Sequence, residues 1–189
     1  MGQLSQTWRK QAGLTPSSGE YAAFNTVIFM GLLLIQFGLG MQINLFVTIT
    51  RHHPGAGATN VVPGVLGSIS WAIAHGPAAL AIHAALGLAI LIGAIHNFLW
   101  NLRRGTRGTV WATGTGLILV LAAGLNGGAF LSYHKATYSL LMALSFGGAL
   151  LCYAITVYLL MRSPEAGRTL RSARTRPQGK DVARGQAAR

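Results

Sequence analysis

The stretch AIHAALGLAILIGAIHNFLW, residues 81–100, is apolar over the length a helix needs to cross the hydrocarbon core of a bilayer, about 20 residues at ~1.5 Å each. It holds no Asp, Glu, Lys or Arg, and its only ionisable side chains are His83 and His96. Working outward from it, three further segments read the same way, which places the spans near 22–49, 77–102, 109–131 and 135–161. Between residues 22 and 161 there is no acid, and the only basic side chains are Arg51, Arg103, Arg104, Arg107 and Lys135. Charged residues make up 10% of the 189, against roughly 25% in soluble domains. The chain is read as an all-α, polytopic membrane protein: a four-transmembrane-helix bundle at 22–161, between a polar N-terminus at 1–21 and a basic tail at 162–189.

The net charge of +12 is unevenly placed, with eight of the fifteen Lys and Arg in the tail. That tail has no aromatic residue and no apolar periodicity, so it cannot offset the entropy of folding and is expected to be disordered. Basic charge beside a membrane helix is drawn to anionic lipid headgroups, by about 1 kcal/mol per residue. The partner implied is therefore the lipid bilayer and its anionic headgroups, not nucleic acid. Residues 1–21 are polar and the apolar run after them is too long for a signal-peptide core, so the first span is expected to be retained. Cys152 is the only cysteine, and within the last span it reads as a small packing residue.

Lys and Arg concentrate on the cytoplasmic side of membrane proteins. Arg9 and Lys10 precede span 1, Arg103, Arg104 and Arg107 fill the 2–3 connection, and Arg162 opens the tail, whereas the opposite side carries Arg51 and Lys135. This predicts a multi-pass protein of a bacterial inner, or cytoplasmic, membrane with both termini inside. The outer connection after span 1 begins as a Gly/Pro-rich loop, and its second half, Val65–His75, is apolar enough for a short interfacial helix. Gly76-Pro77 then reads as a break that starts the next helix; one kinked helix from Ser68 through Leu102 is the competing arrangement. A weak two-fold internal repeat runs through the chain: GMQINLF (40–46) and GLNGGAF (124–130) each precede an outer turn and then a helix that opens near a histidine, His83 or His134.

An ionisable residue inside a membrane is by default a functional candidate. The missing acids exclude carboxylate proton relays and cation sites, and without paired cysteines or an H-E-x-x-H motif zinc chemistry lacks its ligands. Imidazole remains, with the amides of Gln36, Gln42, Asn44, Asn97 and Asn126. Two histidines from different helices can clamp one heme iron, provided that they lie at one depth. Measured from Trp100 and Trp111, His83 stands about 25 Å up its span and the third span climbs about 28 Å before delivering His134, so the two meet near the outer face. Counted from Arg103 and Arg162 instead, the depths differ by about 12 Å, which would pair His134 with His75. His96 follows His83 by thirteen residues, a rotation of about 220°, and has no partner at its depth. The opposing interpretation of His83 is a core histidine bonded to Gln42 or Asn126. His52 and His53 read as solvated loop residues. Gly87, one turn below His83, clears room either for a flat macrocycle or for a neighbouring helix.

The pattern IQFGLGMQINLF, outer loop, IHAALGLAILI, basic loop, LILVLAAGLNGGAFL and YHKATYSLLMAL, about residues 28–145, resembles one four-helix half of heme A synthase. It is also similar to small bacterial four-helix membrane proteins with paired histidines. The matching positions are Gln36, His83 and His134; His75 and His96 match nothing. Ala81 and Ile82 stand where heme A synthase has a glutamate before the first histidine, and Ala84 stands where an arginine often follows. The resemblance therefore implies a heme b bundle and not that enzyme's reaction.

The expectation from sequence is an electron carrier rather than a catalyst. One b-type heme would be held by His83 and His134 (alternatively His75) near the outer face, tuned by Gln36, Gln42 and Asn126 beside Gly87, and would exchange electrons with a quinone or a membrane redox partner. The alternative is a non-catalytic membrane scaffold or accessory subunit of a larger membrane complex.

Overall fold

The computed structural model describes residues 18–162. Five helices run in order: α1 (Ser18–Phe46), α2 (Val61–His75), α3 (Ala78–Arg104), α4 (Arg107–Tyr133) and α5 (Ala136–Met161). Four of them, all but α2, are long and apolar enough to cross a membrane. The protein is an all-α, multi-pass membrane protein. The predicted tail and most of the predicted N-terminus lie outside the described residues.

The described residues fall into two units, one of residues 18–23 with 160–162 and the other Phe24–Leu159. The first is the opening turn of α1 and the last residues of α5 with Arg162. The second holds the bundle. Its main core joins Phe29 and Leu33 of α1, Ile90 and Ala94 of α3, Val120 and Ala123 of α4, and Phe146, Ala149 and Tyr153 of α5. Large apolar side chains such as Ile35, Ile92, Ile118 and Leu144 instead point outward, as they do on helices whose solvent is lipid. Association in that solvent depends on close packing and polar contacts, since apolar burial gives no net drive. The contacts observed are of that kind: the Phe29 and Tyr153 rings meet edge to face at 4.8 Å between α1 and α5.

Sequence rules account for the helix ends. Thr106 caps α4 by accepting a hydrogen bond from the Thr109 N–H at 3.4 Å, so α4 starts at Arg107, ahead of the predicted 109. Gly76 is extended (ψ 165°) and Pro77 precedes Ala78, which breaks the chain into α2 and α3 rather than one kinked helix. α2 packs on α4 and α3. Gly128 leaves the space that Val65 and Ile69 occupy, and Ser68 and Ser132 share a buried hydrogen bond of 2.9 Å. The loop before α2 is fastened to the end of α4 by Gly57 N–H to Ser132 O (2.9 Å) and Tyr133 O–H to Ala58 O (3.0 Å).

Candidate functional site

His83 sits one turn into α3, and its ring reaches across to α1. The Gln36 amide nitrogen donates to the His83 carbonyl oxygen at 3.0 Å and lies 3.4 Å from ring Nε2. An amide oxygen in that place would face the carbonyl, so the amide orientation follows from the contact. An amide N–H that also donates to Nε2 goes with the tautomer protonated on Nδ1. His83 Nδ1 and Gln36 Oε1 are buried without a hydrogen-bond partner.

Two glycines make the contact sterically possible. A Cβ on Gly40 would stand 3.0 Å from His83 Cε1, and one on Gly87 would stand 3.0 Å from Gln36 Nε2. Each helix therefore lends a glycine to the polar side chain of the other. Gly87 clears room for Gln36, one of the two uses the sequence left open. Gly40, the first residue of the repeat motif, is the member that sequence reasoning did not single out.

The remaining predicted residues lie elsewhere. His134 caps the C-terminus of α4 in the left-handed conformation (φ 53°), its N–H bonded to Phe130 O at 2.8 Å. Its ring lies 6.4 Å from that of His53 and 6.5 Å from that of Phe130, and its Nε2 is buried without a partner. Burial first, and then the charges of Arg51 and His53, lower its pKa from the ordinary 6.5. No hydrogen bond or ring contact joins His83 to His134. Gln42 is exposed, and the Asn126 amide donates to Ala122 O within its own helix at 2.8 Å; neither touches His83. His75 ends α2 and is exposed, as is His96.

His53 departs from its predicted place in solvent. Its ring stacks on Trp71 at 4.3 Å and 15°, with Nδ1 3.0 Å from Pro54 O and Nε2 3.3 Å from Leu131 O. It pins the first outer connection to α2 and to the end of α4. The signal in the sequence was weak: a Pro after the histidine and a Trp eighteen residues on.

No family model, curated protein or solved structure matches the chain.

An imidazole that binds iron presents a bare nitrogen to it. His83 Nε2 faces the Gln36 amide at 3.4 Å, and the His134 ring neighbours those of His53 and Phe130. Among the described residues, no group of three or more His, Cys, Asp or Glu is placed to hold a metal ion.

Proposed function

We propose that this protein is a non-catalytic membrane subunit that acts by packing against other membrane helices, its half-buried His83 serving the fold. The reading rests on a contrast among the glycines. Gly40, Gly87, Gly116 and Gly128 each receive a side chain from inside the bundle, whereas Gly38, Gly124 and Gly147 are exposed with nothing within 4 Å of an added Cβ. A glycine in a helix interior costs about 1 kcal/mol relative to alanine, and facing lipid it returns nothing to the isolated bundle. Facing another helix it permits close approach. Arg103, Arg104 and Arg107 gather in one turn, against Arg51 and Lys135 at the other end, which supports a cytoplasmic-membrane location with both termini inside.

The experiment is photo-crosslinking in native membranes. A benzophenone side chain is placed at Ile35 or Met41, within one helical turn of Gly38, or at Ile92 on α3. The expected result is a protein adduct of discrete size from the α1 positions that Gly38→Leu removes while the helical content of the purified protein is unchanged. Adducts to lipid alone, or an adduct pattern indifferent to Gly38→Leu, would defeat the reading.

A further inference from the structure

The turn between α3 and α4 carries a feature that the glycine contrast does not use. His96, Leu99, Trp100, Arg103 and Arg104 line one groove along the end of α3. Their spacing of three, four, seven and eight residues from His96 is that of a single helix face. The Arg104 guanidinium lies over the Trp100 ring at 4.5 Å from its centroid, and the His96 ring is 6.4 Å from the same indole. No carboxylate pairs with Arg103 or Arg104 among the described residues, and the sequence has none from 21 to 164. The carbonyl end of α3 carries a partial charge of about −0.5, which two guanidinium groups outweigh.

The order of side chains along the groove is informative. Leu99 is exposed and apolar; Trp100 follows with its amphipathic ring, and then come the two arginines. Over about 8 Å of helix rise this repeats the sequence of acyl chain, glycerol region and phosphate along a phospholipid. We infer that the groove seats an anionic phospholipid, its phosphate on Arg103 and Arg104, its glycerol region against Trp100, and its acyl chain along Leu99 toward His96. The stacked, planar Arg104 is preordered for phosphate, which distinguishes a seat from a diffuse basic surface.

Native mass spectrometry of the full chain tests this with phosphatidylglycerol, phosphatidylcholine and soluble glycerol phosphate as separate probes. The expected result is preferential retention of one phosphatidylglycerol, weakened about fivefold by Arg103→Gln or by Arg104→Gln and unchanged by Arg51→Gln. Arg104→Lys, which keeps the charge and loses the planar stack, should fall between wild type and Arg104→Gln. Trp100→Phe keeps a ring under Arg104 and should retain most of the binding. Equal retention of the two lipids, or equal losses for Arg51→Gln and Arg104→Gln, overturns the seat. Displacement of phosphatidylglycerol by millimolar glycerol phosphate overturns the assignment to a lipid.

Discussion

Gln36 and His83 hold each other across the boundary between α1 and α3, through one amide nitrogen 3.0 Å from a backbone carbonyl and 3.4 Å from an imidazole nitrogen. Polar contacts of this kind between membrane helices contribute about 0.6 kcal/mol on average and at most about 1.7 kcal/mol in mutant cycles. Gln36→Ala, His83→Ala and the double variant should therefore show a coupling energy of about 1 kcal/mol when reversible unfolding is followed in bicelles. Additive losses would mean that the two side chains act independently.

The glycines of α1 should divide in their response to size. Gly40→Val pushes a side chain into the His83 ring and should cost about 1–3 kcal/mol, the usual penalty of overpacking. Gly38→Ala meets nothing within 4 Å and should be neutral or gain up to about 1 kcal/mol in the isolated bundle. The same unfolding measurement checks both. Equal losses at the two positions would contradict the assignment of an inner and an outer face.

The number of spans, the short helix after the outer loop and the break at Gly76-Pro77 were legible because hydropathy, proline and glycine act locally. The orientation of His83 was not. Helical rise gives the depth of a residue, and His83 and His134 were matched by depth; the direction in which a ring points depends on which helix packs against that face. The sequence offered Gln42 and Asn126 as bonding partners. The structure pairs His83 with Gln36, where Gly40 and Gly87 leave room for the two side chains. His134 was read as the opening of the last helix, yet its backbone ends α4 in a conformation more often held by glycine or asparagine.

That left-handed backbone makes a prediction of its own. His134→Gly should raise thermal stability by up to about 1 kcal/mol, since a non-glycine residue in this region costs about 1–2 kcal/mol. His134→Asn tests the ionisation separately. A lowered pKa in the folded protein means that the unfolded chain takes up the proton first. The stabilisation is thus complete above the ordinary histidine value of 6.5 and is lost as pH falls below it. Melting temperatures of the wild type should drop between pH 7.5 and 5, with a shallower slope for His134→Asn; parallel slopes would count against it.

Tyr153 of α5 is fully buried against Phe29 of α1 and Gly116 of α4, with its hydroxyl unpartnered. A buried hydroxyl without a hydrogen bond costs about 1–3 kcal/mol. Tyr153→Phe keeps the ring and should stabilise the bundle by about 1 kcal/mol in the same unfolding assay. A loss of that size would show that the hydroxyl is bonded in the membrane.

In the proposed function His83 serves helix pairing rather than iron. The absorption spectrum of protein purified from cells supplied with excess heme measures this most directly. The predicted spectrum of both the wild type and His83→Ala lacks a heme band at one equivalent per chain. A stoichiometric Soret band in the wild type that His83→Ala or His134→Ala abolishes would contradict it.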